Sequence, residues 1–76
     1  MDVEAARLLA AGLAIGLGAI GSGIGEGIAA KGALEAMGRN PSLKDELFTR
    51  MIIAMAITES TAIYALVITF LILFAV

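Results

Sequence analysis

Residues 51–76 read MIIAMAITESTAIYALVITFLILFAV, 26 positions in which Glu59 is the single carboxylate side chain. A second apolar run, Leu8–Ala30, has 23 residues and one charge, Glu26. An α-helix needs about 20 apolar residues to cross a bilayer, so each run is long enough to span. An ionised side chain at the bilayer centre costs roughly 2.5–3.5 kcal/mol on insertion scales, and acids retained there usually mark ion or proton paths. The ordinary alternative is a protonated carboxyl that only bonds two helices together. Two acids that can meet favour ion handling.

Hydrophobic residues form 61% of the 76-residue chain, against about 45–50% in soluble domains. Mean hydropathy is +1.02, and most of the remaining charge lies between Lys31 and Arg50. The pattern predicts an all-α membrane protein: a hairpin of two transmembrane helices that assembles into an oligomer, because two helices with one buried acid each leave most of their surface unpartnered. A single domain over 1–76 is expected, with helices over about 5–38 and 43–75 and a polar loop over about 39–42. Gly38 can end the first helix, Pro41 cannot continue it, and Ser42 can cap the second. Cysteine and histidine are absent, which excludes disulfides and the commonest zinc and haem ligand sets.

Asp2, Glu4 and Arg7 precede the first run, whereas a signal peptide begins net positive, so the segment reads as a mature helix. Four of the five basic residues, Lys31, Arg39, Lys44 and Arg50, flank or occupy the loop. The positive-inside rule then puts the loop in the cytoplasm and both termini outside.

All nine glycines precede residue 39. On a helical wheel Gly18, Gly21, Ser22, Gly25, Ala29 and Gly32 share one face, and Gly12, Gly16, Ala19, Gly23, Gly27 and Ala30 an adjacent one. Leu13, Leu17, Ile20, Ile24 and Ile28 gather on the remaining stripe. Glycine costs about 1 kcal/mol relative to alanine inside a helix, and close backbone packing is what compensates for it in lipid. Two adjoining small faces let one helix touch close neighbours on two sides, as in a tight ring. Gly16-Leu17-Gly18-Ala19-Ile20-Gly21 also fits the dinucleotide fingerprint, but no strand precedes it and the chain is too short for a βαβ domain, so nucleotide binding is set aside.

Glu26 lies 15 residues before Pro41 and Glu59 lies 17 after Ser42. At about 1.5 Å per residue their depths differ by roughly 3 Å, a gap that side chains close. Around the second acid stand Thr58, Ser60, Thr61 and Tyr64, hard oxygen groups suited to an alkali cation or a protonated carboxyl. Thr58 and Thr61 are expected to bond carbonyls one turn earlier; Ser60 and Tyr64 are the stronger candidates.

With Gly21-x-Gly23-x-Gly25-x-Gly27, the polar loop Arg39-Asn40-Pro41 and the acid Glu59 midway along the second run, the chain resembles the c subunit of the F-type ATP synthase over nearly its whole length. Asn40 stands where that family commonly has glutamine, a conservative departure. The resemblance implies a homo-oligomeric c-ring in a bacterial inner membrane, with first helices inside, packed through Gly21, Gly23, Gly25 and Gly27, and second helices outside. It implies loops at Arg39, Asn40 and Pro41 that meet the gamma and epsilon subunits of the central stalk, and a stator whose a subunit presents the arginine that Glu59 passes with one ion. Membrane lipid is the surrounding partner, nucleic acid is not expected, and the chain is a rotor rather than a catalyst.

Glu59-Ser60-Thr61 with Tyr64 further resembles the sodium-type branch, in which helix-one and helix-two side chains and a backbone carbonyl, matching Ile57, surround Na⁺. The implied ion-binding set is Glu59, Glu26, Ser60, Tyr64, Ile57 and Thr61, with Na⁺ itself at Glu59, Glu26, Ser60 and Ile57. Two ionised acids around one Na⁺ leave a net negative site in lipid, so one of them, Glu26, is expected to keep a proton. Proton transport stays open beside Na⁺. A holin-like or other pore-forming hairpin is the alternative class; it calls for several polar positions along one lumen line rather than one acid per helix at matched depth.

Overall fold

The computed structural model describes Met1–Ala75. Two antiparallel helices, α1 (Val3–Arg39) and α2 (Lys44–Phe74), are joined by Asn40 and a 3₁₀ turn over Pro41–Leu43. Asp2 starts α1: its Oδ1 accepts the Ala5 N–H at 2.7 Å, satisfying one of the amides that a helix start leaves without an intrahelical partner. Glu4 in the first turn and Arg39 in the last both complement the helix dipole.

The turn is made differently from the sequence expectation. Gly38 stays helical, and no glycine among the described residues has positive φ. The break falls at Asn40, which the following Pro41 pushes out of the α region, to φ −133° and ψ 72°. Asn40 makes up for this locally, because its backbone N–H and its Nδ2 both donate to the Ala36 carbonyl, at 2.9 and 3.2 Å. Ser42 does not cap α2. It lies inside the 3₁₀ turn, and Leu43 takes the N-cap position without a side-chain hydrogen bond. Asp45 and Glu46 in the first turn supply the negative charge there instead, and Glu46 also holds Arg50 one turn on at 2.9 Å.

The pair spans 58 × 18 × 8 Å, a ribbon one helix thick. Helix α1 has 37 residues, about 55 Å at 1.5 Å per residue, and runs nearly the length of the molecule; α2, with 31 residues, spans about 46 Å of it. The hydrocarbon core of a bilayer is about 30 Å thick, so the hairpin is longer than that core. Both helices contain membrane-length apolar windows, and only 11% of each window is buried inside the chain. A soluble core helix would be covered; here Leu13, Leu17, Ile20, Ile24 and Ile28 all remain exposed.

The seam between the helices runs along small residues. Buried Ala11, Ser22 and Thr69 lie on it, and the half-buried positions Gly18, Gly25, Ala29 and Ala33 of α1 and Met51, Thr58, Ala62 and Ala65 of α2 recur at the three- and four-residue spacing of facing helices. A methyl group at Gly25 would stand 2.8 Å from Thr58 Cγ2, and one at Gly18 would overlap the Ala65 Cβ. These two glycines let α2 approach. Such a methyl at Gly12, Gly16, Gly21, Gly23 or Gly27 would have no atom of α2 within 4 Å. The two small faces of α1 are thus divided: α2 covers Gly18, Ser22, Gly25 and Ala29 of the first but leaves its Gly21 and Gly32 exposed, while Gly12, Gly16, Gly23 and Gly27 of the second stay open.

Candidate functional site

Halfway along α2, the two acids converge on one hydroxyl. Ser22 Oγ lies 3.4 Å from Glu26 Oε2, on its own helix one turn later, and 3.4 Å from Glu59 Oε2 across the seam. It also donates to the Thr58 carbonyl at 3.2 Å. Ser22 is 3% exposed, and both glutamates are half-buried. The convergence follows from local periodicity: residues four apart lie on one helical face, and antiparallel pairing from a tight turn brings near-equal depths together. A serine hydroxyl has one proton and two lone pairs, so it can donate to one acceptor and still accept from a protonated carboxyl.

The remaining oxygen groups lie elsewhere on α2. Ser60 Oγ donates to the Ile57 carbonyl at 2.6 Å. Ile57 and Tyr64 are 68% and 70% exposed, and Thr61 is exposed as well. At 3.6 residues per turn these four residues lie roughly 100–200° around α2 from Glu59, whereas the stripe that meets α1 is roughly 80° to its other side. Within one chain, then, Glu26 joins Glu59, and Ser60 joins the Ile57 carbonyl, but no hydrogen bond among the described residues links the two pairs. Thr58 is occupied locally, its hydroxyl donating to the Ala54 carbonyl at 2.9 Å.

Ser22 was legible in the sequence only as one small residue on a glycine face. Its position one turn before Glu26, at the depth of Glu59, was the signal that marks it as a polar partner. Of the four glycines expected at helix contacts, Gly25 packs inside the hairpin and Gly21, Gly23 and Gly27 do not. Arg39, Asn40 and Pro41 are exposed at the loop end.

The comparisons with known proteins meet this geometry at the family level. The family model for the ATP synthase C subunit matches residues 9–72, a range that includes most of both helices, the turn and the Glu26–Ser22–Glu59 cluster. Among curated relatives, an ATP synthase c subunit of Dehalococcoides mccartyi is 57% identical over 74 residues, covering 97% of each chain. One from Chloroflexus aurantiacus is 51% identical over 74 residues, again 97% of each chain, and one from Petrotoga mobilis is 52% identical over 68 residues, 90% of this chain and 71% of its own. A helical hairpin with two membrane-length apolar arms, matched at this identity over at least 90% of its length, is an integral membrane protein that belongs to the ATP synthase c-subunit family.

Proposed function

We propose that this chain is the repeating unit of a rotor ring in the membrane sector of an F-type ATP synthase, carrying one ion per copy on Glu59 and coupling ion flow to rotation and ATP synthesis. The observation that carries this reading is the meeting of Glu26 and Glu59 at Ser22, inside the apolar spans of a c-subunit family member. A carboxylate facing lipid has to be neutralised, by a proton or by a bound cation. Facing the arginine and the aqueous half-channel of the stator's a subunit, the ionised form is favoured and the ion leaves. Each elementary charge driven through 100 mV supplies about 2.3 kcal/mol, so several copies must load and unload for each ATP made elsewhere in the complex. The chain itself performs no catalysis.

The ring supplies what one hairpin lacks. Glu59 sits on the flank of α2, while Ser60 and the Ile57 carbonyl lie farther round the helix, away from α1. A second copy packed beside the first can therefore bring its Ser60 and Ile57 oxygens to the Glu26–Glu59 pair, completing an all-oxygen cation site with Tyr64 and Thr61 at its edge. The open glycine face of α1 provides the close contact between copies. Exposed Arg39, Asn40 and Pro41 then line the cytoplasmic rim that bears on gamma and epsilon, the termini lie outside, and lipid covers the outer face of the cell-membrane ring.

Na⁺ is the cargo favoured by this oxygen set, and the test is competition with a carboxyl reagent. Carbodiimide reacts with a protonated carboxyl in an apolar setting. On purified rings, millimolar Na⁺ should slow modification of Glu59, and protection should strengthen as pH rises and protons stop competing. Ser60→Ala should weaken protection while leaving labelling intact, because it removes a cation ligand and not the acid. Absence of Na⁺ protection at every pH where Glu59 reacts identifies a proton rotor, in which Glu26 shares or tunes the proton.

A further inference from the structure

Besides the two acids, one polar side chain of the span is enclosed with them, and its hydroxyl is their common partner. The other nearby hydroxyls are engaged with their own helix: Thr58 with the Ala54 carbonyl and Ser60 with that of Ile57, at 2.9 and 2.6 Å. Thr61 and Tyr64 point elsewhere, on the exposed side of α2. Among the described residues, Ser22 is thus the one hydroxyl that donates a hydrogen bond to either carboxyl of the pair, apart from the proton that the two carboxyls share. At 3% exposure, and inside a lipid span, no water replaces a donor that is removed.

We propose that Ser22 is a positioning residue of the ion site, holding the Glu59 carboxyl against the α1–α2 seam in both of its protonation states. This rests on Glu59 being the ion carrier. When Glu59 is protonated, its O–H donates to a Ser22 lone pair while the Ser22 proton stays on the Thr58 carbonyl, 3.2 Å away. When Glu59 is ionised, the Ser22 hydroxyl rotates about its Cβ–Oγ bond and donates to Glu59 Oε2. The Thr58 carbonyl keeps its place in the helical ladder throughout. No bond to carbon forms or breaks, and the only proton exchanged with the outside is the one Glu59 carries. Glu26, one turn from Ser22, occupies the same hydroxyl in competition, so its protonation state sets which carboxyl Ser22 serves.

The test uses the assembled complex in vesicles for turnover and purified rings for infrared spectroscopy. Ser22→Gly removes the hydroxyl without adding an atom to a face already rich in glycine, and Ser22→Ala is its companion. Both variants should assemble rings, lower coupled turnover by about 2- to 10-fold, the weight of one hydrogen bond, and move the C=O stretch of the protonated carboxyl to higher frequency. Ser22→Thr, which restores a hydroxyl, should return the band towards its original position. A helix-packing role would leave that band unmoved. An unmoved band, unaltered turnover, or failure of Ser22→Gly to form rings each overturns the proposal. Glu59→Gln measured alongside separates the two levels: if it retains coupling, the ion-carrier reading itself has failed; if it abolishes coupling while Ser22→Gly changes nothing, only the role of Ser22 has.

Discussion

Glu59→Gln is expected to assemble into rings and to abolish coupled ATP synthesis. The amide matches the carboxyl in size and can still accept from Ser22 Oγ, now 3.4 Å from Oε2, so the seam of the hairpin is kept. What is lost is titration: an amide neither releases a proton to an aqueous channel nor supplies the negative charge that holds a cation. Glu26→Gln should be far milder, because an amide can replace a protonated carboxyl as donor and ligand. The pair of variants, measured for ATP synthesis in vesicles with ring assembly checked on gels, separates carrier from helper. Retained coupling in Glu59→Gln removes the carrier role from that residue.

The second large effect concerns glycine, and it divides according to the two faces of α1. Gly25→Leu should disrupt the hairpin itself, since even the first carbon added there would stand 2.8 Å from Thr58 Cγ2, and overpacking a close contact costs about 1–3 kcal/mol or more. The first carbon added at Gly23 meets no atom of α2, so the hairpin should close normally in Gly23→Leu while rings fail to form, because adjacent first helices cannot approach. The chain has no cysteine, which makes cysteines placed at Ala11 and Thr69, one on each side of the seam, a clean reporter of closure with a short thiol cross-linker. Cross-linking kept in Gly23→Leu and lost in Gly25→Leu, with rings absent from both, is the expected pattern. Intact rings in Gly23→Leu would show that this face makes no contact between copies.

Helical spans and their pairing were legible because length and hydropathy are properties of whole segments, and a mistake at one residue does not change them. The meeting of Glu26 with Glu59 was legible for a related reason, since a tight turn leaves depth as a matter of counting residues from Pro41. Details that depend on one dihedral were not. Gly38 has the chemistry of a helix stop, but nothing compels glycine to leave the α region, whereas the ring of Pro41 does restrict Asn40. Ser42 has the chemistry of a cap, but the 3₁₀ turn moves the start of α2 past it. The wheel gave α1 two small faces without saying which one α2 would take; that choice depends on the opposing side chains, with Ala65 and Thr58 fitting over Gly18 and Gly25. Ser22 escaped for the same reason: a small residue on a glycine face reads as a spacer until the opposite helix brings a carboxyl to it.

The most direct test is the site and number of carbodiimide adducts on purified rings, read by mass spectrometry of the chain together with ion flux through the complex. Seven acidic residues compete for the reagent, five of them outside the apolar runs. One adduct per chain, on Glu59, with flux lost as it accumulates, is the predicted result. Adducts confined to Glu26, or spread over Asp2, Glu4, Glu35, Asp45 and Glu46 while flux persists, would contradict it.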